Sequence, residues 1–259
     1  MTRYRVIPVL LLRNAGLYKT VKFKDAKYVG DPINAVKIFN EKEVDELVFL
    51  DIEATITNRE PDYKTLKDIA SECFMPLCYG GGIHDLGQIE RVLKTGVEKV
   101  AINTGLVRNP DQVRKAAKTF GCSTIVASID FRRNVLGKPI AHICSGSINT
   151  GLSVVELAKQ AEDLGVGEVL LNSIDRDGTM MGYDLGAIKE TSAALSIPLI
   201  ACGGGGSLLD FRAAIHEAGA SAVAAGAFFV FVGRRRAVLI TYPSQKELES
   251  SVFQRGVVC

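Results

Sequence analysis

The sequence has little of what many function classes require. It holds only three histidines, His84, His142 and His216, and six cysteines, Cys73, Cys78, Cys122, Cys144, Cys202 and Cys259. No two cysteines form a CxxC pair and no histidine lies at ligand spacing beside one. A zinc site needs several such donors at short intervals, so no metal is expected and no cofactor is implied. The thiols are too sparse for a disulfide scaffold, and most of them read as small core hydrophobes. Charge of one sign is also lacking. The 31 basic and 29 acidic residues leave a net +2, which excludes a nucleic-acid footprint and a polybasic membrane patch. No apolar run approaches the roughly 20 residues of a membrane span. The first residues carry no apolar signal core, so the cytoplasm is the expected location.

What is present is an ordinary globular balance, 47% hydrophobic and 23% charged over 259 residues. Short apolar runs alternate with longer helical patterns, as parallel βαβ units require. Eight strands are predicted: Arg5–Leu11, Glu46–Asp51, Leu77–Tyr79, Lys99–Ile102, Thr124–Asp130, Glu168–Ser173, Leu199–Cys202 and Ala222–Ala225. Asp31-Pro32, Asn109-Pro110 and Asp184 read as helix starts. Gly96, Gly121, Gly165 and Gly219 read as left-handed helix ends. The chain repeats itself at an offset of about 122 residues: the run Pro76–Gly82 answers Pro198–Gly206, and Glu46 answers Glu168. Together these predict an α/β chain, a (β/α)8 TIM barrel built from two similar half-barrels, with residues 1–259 as one domain.

In such a barrel the C-terminal strand ends carry function. Four strands here end in glycine-bearing loops: Gly80-Gly81-Gly82, Asn103-Thr104-Gly105, Gly203-Gly204-Gly205-Gly206 and Ala224-Ala225-Gly226. Glycine lets backbone N–H groups approach an anion, so two such pairs point to two anion sites and a ligand phosphorylated at both ends. Acids cluster on the same face: Asp51, Glu53, Asp130, Asp175 and Asp177. Asp130 is the candidate general acid or base. The half-repeat places its partner at Leu11, which transfers no proton, and Lys19 in the loop beyond is the nearest ionisable alternative. At the opposite face Arg5, Glu46, Lys99 and Glu168 each open a strand, one on each of four alternate strands. They read as a charge-paired ring that either closes the core or gates a passage along the axis.

The runs Asp45–Ile52, Tyr79–Ile83, Lys99–Asn103, Ser173–Thr179 and Gly182–Leu185 resemble the cyclase subunit of imidazole glycerol phosphate synthase over nearly the whole chain. The resemblance implies a glutaminase partner docked at the N-terminal face, with ammonia passing an ammonia gate made of Arg5, Glu46, Lys99 and Glu168. It implies ligand positions at Lys19, Gly82, Asn103, Thr104, Asp130, Asp177, Gly178 and Gly204. Asn172, Ala225 and Gly226 complete the candidate phosphate and substrate contacts for a phosphorylated small molecule. Two positions depart from the family: its catalytic aspartate is Leu11 here, and a phosphate-site serine is Gly226. Leu10–Leu12, Lys27–Val36, Cys73–Tyr79 and the tail Arg236–Ser244 are similar to cyclase-like proteins of surface-sugar modification. That branch implies a further partner, a sugar amidotransferase, and delivery of ammonia for an acetamidino sugar of lipopolysaccharide or a related glycan. Two alternatives stay open: a working cyclase of histidine biosynthesis, and a non-catalytic phosphate-sensing scaffold.

Overall fold

A computed structural model describes residues 4–233 and 235–254; Cys259 lies outside the described residues. Eight strands, Arg5–Arg13, Leu47–Asp51, Leu77–Gly80, Lys99–Ile102, Ile125–Arg133, Glu168–Ser173, Leu199–Cys202 and Ala222–Ala225, pair in parallel in chain order. The eighth pairs back onto the first, with Arg5 opposite Ala222 and Pro8 opposite Ala225. The fifth and sixth are joined from Val126 opposite Glu168 to Phe131 opposite Ser173. The sheet is therefore a closed barrel, and helices such as Pro32–Glu41, Tyr63–Glu72 and Leu185–Ala194 fill the returns between its strands. The (β/α)8 TIM barrel expected from the sequence is the observed fold.

Side chains alternate across each strand, so every strand serves two apolar layers. Along the first strand Ile7, Val9 and Leu11 face the lumen, where they meet Val48, Cys78, Val126, Leu170 and Ile200. Val6, Leu10 and Leu12 face outward against the helices. Burial on both faces explains why these strands read as unbroken apolar runs rather than alternating ones.

Several elements differ from expectation. The first and fifth strands run on to Arg13 and Arg133, because each continues into an antiparallel hairpin. Gly16–Val21 and Lys24–Gly30 follow the first strand, and Pro139–Ile143 and Ile148–Ser153 follow the fifth, at equivalent places in the two halves. The first hairpin turns on Asn14-Ala15, both with positive φ (47° and 57°), where a glycine would have marked the turn. The second strand begins at Leu47, one residue after Glu46.

Most helix signals hold. Asp31 accepts from the Asn34 N–H at 2.9 Å and Asp184 from that of Ala187 at 3.1 Å. Asn109 does not cap with its side chain; the helix it precedes starts on Pro110 without that bond. Gly96, Gly121, Gly165 and Gly219 all have positive φ. The thiols are a correction. Cys78 and Cys202 are buried, but Cys73 and Cys144 are half-buried and Cys122 is exposed.

Candidate active site at the barrel mouth

The two ends of the barrel differ in kind. At the N-terminal end Arg5 bonds both Glu46 and Glu168. Lys99 Nζ lies 2.9 and 3.0 Å from the two Glu46 oxygens and 3.2 Å from Glu168. The signs alternate around a closed ring, so every member has two opposite neighbours. These residues come from the first, second, fourth and sixth strands rather than from four alternate strands. Burial, the largest influence, pulls the pKa of both cations down; the two glutamates outweigh it and hold Arg5 and Lys99 above their ordinary values. The glutamate side chains are 3% and 9% exposed, so the ring is paired by necessity.

At the C-terminal end the lumen opens into a cavity of about 400 Å³. Asp130, Lys19, Leu11, Gly82, Asn103, Thr104, Asn172, Asp177 and Gly226 all line it. Gly178, Gly204 and Ala225 do not. Gly178 instead lies against the Thr20 carbonyl, where a Cβ would stand 2.2 Å from the oxygen. Gly204 packs as tightly on Gly182, and Ala225 is buried in the eighth strand. The glycines there allow loops to touch, which accounts for their presence without an anion.

Asp130 sits at the wall between two amides. Asn172 Nδ2 donates to its Oδ1 at 3.1 Å, and Asn103 Nδ2 donates to Oδ2 at 3.4 Å. Asn103 is itself fixed by the Ser128 and His142 carbonyls at 3.0 and 3.3 Å. Burial pushes the Asp130 carboxyl up to about 7; the Asn172 bond opposes this and the Asp177 carboxylate adds to it. A carboxyl poised near neutrality holds and releases a proton at working pH. Leu11 is 8% exposed to the same cavity and offers no second proton carrier.

Lys19 is not a solvated loop lysine. It lies on the hairpin strand Gly16–Val21 and is 3% exposed. Its ammonium occupies the space that a side chain at 226 would need, since a Cβ there would stand 2.0 Å from Nζ. Among the described residues, no hydrogen bond or ion pair holds that ammonium. Next to it Asp177 accepts from the Thr20 hydroxyl at 3.2 Å.

The remaining acids serve the framework. Asp51 pairs with Arg59 at 2.9 Å, Glu53 with Arg13 at 2.6 Å, and Asp175 accepts from the Arg133 N–H at 3.1 Å. Several cavity residues carry no motif in the sequence: Ser128, Cys202, Ser145 and the hairpin turn Phe23–Ala26. Burial first, then the Asp177 carboxylate, push the Cys202 thiol up to about 12, so it remains protonated. No group of three or more metal-ligating side chains converges among the described residues. No described helix is long and apolar enough to cross a membrane.

Comparison with known proteins agrees with this geometry. Residues 5–233 match the family described as histidine biosynthesis protein. A protein of Pseudomonas aeruginosa, provisionally named imidazole glycerol phosphate synthase subunit hisF2, is 49% identical over 96% of this chain and 99% of its own. The provisionally named subunit hisF3 of Vibrio vulnificus is 47% identical over 97% of both chains. The imidazole glycerol phosphate synthase subunit HisF of Streptomyces coelicolor is 41% identical over 88% of this chain and 90% of its own.

Two predictions come from this site. A carboxyl raised in the folded state keeps its proton where the unfolded chain has lost it. Its contribution to stability is therefore lost as pH rises from about 4, the unfolded value, through about 7. Asp130→Asn should gain stability relative to the parent over that window and hold a constant difference above it; urea midpoints from pH 4 to 9 measure this. Gly226→Ser should drive the Lys19 ammonium out of its niche. Acylation of Lys19 by a soluble amine reagent, followed by mass spectrometry, should then be faster than in the parent, where that lysine is shielded.

Proposed function

The chain belongs to the histidine biosynthesis protein family, among its HisF-like imidazole glycerol phosphate synthase subunits. On that premise we propose that it is the barrel subunit of a glutamine-dependent amidotransferase complex. Ammonia arrives from a glutaminase docked at the N-terminal face and is delivered for acetamidino modification of a surface-polysaccharide sugar by a sugar amidotransferase. In this reading residues 1–259 form one barrel domain.

The observation that carries the reading is the pairing of an intact ring with an incomplete mouth. Arg5, Glu46, Lys99 and Glu168 close one end of an apolar lumen, and an apolar lining favours a small neutral molecule over an ion. At the other end Asp130 faces a mouth where Leu11 stands in place of a second proton carrier. Cyclisation needs both an acid and a base, whereas delivery of ammonia needs neither. Gly82, Asn103 and Thr104, the positions expected to meet a phosphorylated ligand, line the same mouth. The 49 and 47% relatives carry subunit names with the suffixes 2 and 3, as a second copy beside a histidine-pathway enzyme would. The histidine-biosynthesis cyclase is the second reading, and Asp130 with its carboxyl near neutrality favours it.

One reconstituted experiment separates the two. The purified protein with ammonium and the bis-phosphorylated ribonucleotide of the cyclase reaction should turn over about a hundredfold or more below a working cyclase. Leu11→Asp should raise that rate. Turnover by the unaltered protein at a cyclase's rate would overturn the sugar reading. With a glutaminase bound, Lys99→Met should leave glutamate release running while less nitrogen reaches product. Retained one-to-one coupling in a variant that still binds the glutaminase would make the ring structural.

A further inference from the structure

A second cavity, of about 220 Å³, opens on the flank of the barrel beside the mouth. It lies between the Asn14-Ala15 turn, the loop after the second strand, and the start of helix Tyr63–Glu72. Leu12 and Leu66 give it apolar walls. Tyr79, on the third strand, points away from the lumen into this side of the fold and is 1% exposed. Its hydroxyl is buried and finds no hydrogen-bond partner among the described residues. Buried polar atoms are almost always satisfied, so an atom left this way beside a cavity indicates something that fills it.

The charged groups facing that hydroxyl define what would fit. Asp51, Arg59 and Asp62 are its electrostatic neighbours. Asp51 is already committed: one oxygen accepts from the Glu53 and Ala54 N–H groups and the other from Arg59. Asp62 caps the helix, accepting from the Thr65 N–H at 3.1 Å and the Thr65 hydroxyl at 2.7 Å. Arg59 gives Asp51 one bond, makes no other side-chain hydrogen bond among the described residues, and has a side chain 39% exposed. The groups left over include two donors, the guanidinium N–H and the phenol O–H, and the Asn14 side chain, which both donates and accepts, also lines the cavity. Two nearby carboxylates disfavour a dianion, so a singly charged acceptor suits the site better than phosphate.

We propose that this flank cavity is a binding site for a small monocarboxylate. Its oxygens accept from the Tyr79 hydroxyl and the Arg59 guanidinium, and its apolar body lies against Leu12 and Leu66. The site is coupled to the mouth through the backbone. A Cβ on Gly82 would stand 2.4 Å from the Arg59 carbonyl oxygen, and one on Gly81 2.5 Å from that of Asp51. The glycine loop at the rim thus rests directly on Arg59, which the carboxylate would engage, and on Asp51, which is paired with Arg59. A ligand drawing on Arg59 alters the seat of that loop. Occupancy of this site is independent of the passage of ammonia.

The full chain would be titrated with sodium isobutyrate by calorimetry, against sodium chloride at equal ionic strength. Saturable one-site binding of isobutyrate over chloride is expected. Tyr79→Phe keeps the ring and removes only the unpartnered hydroxyl, so it should fold. It should weaken binding about tenfold or more, the worth of a hydrogen bond to a charged group. Arg59→Gln should weaken it likewise, with a thermal melt as the check on folding because it also removes the Asp51 pair. Saturating isobutyrate should change the affinity of inorganic phosphate for the mouth in the parent protein and not in Tyr79→Phe. Absence of saturable binding, or equal binding by parent and Tyr79→Phe, would overturn the site and leave a water as the hydroxyl's partner. Phosphate affinity indifferent to isobutyrate would overturn the coupling.

Discussion

Both ends of the barrel depend on the pairing of the first strand with the eighth. Arg5 to Pro8 lie opposite Ala222 to Ala225, and the small residues of the eighth strand leave the lumen side of this seam uncrowded. Only with the seam closed does Arg5 reach Glu168 across the bottom of the barrel. At the top the same seam brings Lys19, on the hairpin that continues the first strand, against Gly226, the residue after the eighth. The Tyr242 hydroxyl donates to the Val6 carbonyl at 2.8 Å and fastens the C-terminal segment to the same strand.

The chemistry at the two ends is opposite in character. The ring satisfies itself, with each charge placed between two of the other sign, and the glutamates are nearly shut off from solvent. The mouth is left unsatisfied. It holds an ammonium that no acceptor among the described residues pairs and a carboxyl whose pKa is raised to about 7. A polar group held without its partner costs stability, and proteins keep such groups where a ligand completes them. That contrast separates a pole whose charges satisfy one another from a pole that leaves polar groups open to a ligand.

Much of this was legible in the sequence, for identifiable reasons. Parallel strands buried on both faces leave apolar runs that stand out, and a repeat of about 122 residues orders them into halves. The charged residues at the strand starts were visible because four charges interrupt such runs. The predicted strand order already puts them on the first, second, fourth and sixth strands, so they do not alternate. The second hairpin was missed although Gly137 (φ 76°) lies in its turn; the first escaped notice because Asn14-Ala15 turns without glycine. Lys19 read as loop for the same reason. The glycines at 178 and 204 also serve close backbone packing, a role that looks no different in one dimension from an anion contact. Asp51 and Glu53 read only as part of an acidic cluster because their partners, Arg59 and Arg13, are met only once the loops fold back.

The ring also limits how far the two halves can resemble each other. Glu46 and Glu168 are equivalent by the internal repeat, but Arg5 and Lys99 both belong to the first half. Two copies of the first half would place an excess of positive charge at the bottom, and two copies of the second would bring glutamates together with no cation between them. A symmetric ancestor assembled from identical halves could not have carried this neutral ring. The halves had to diverge at their charged strand starts before the barrel could close as it does now, and a symmetrised redesign would have to solve the same electrostatic problem again.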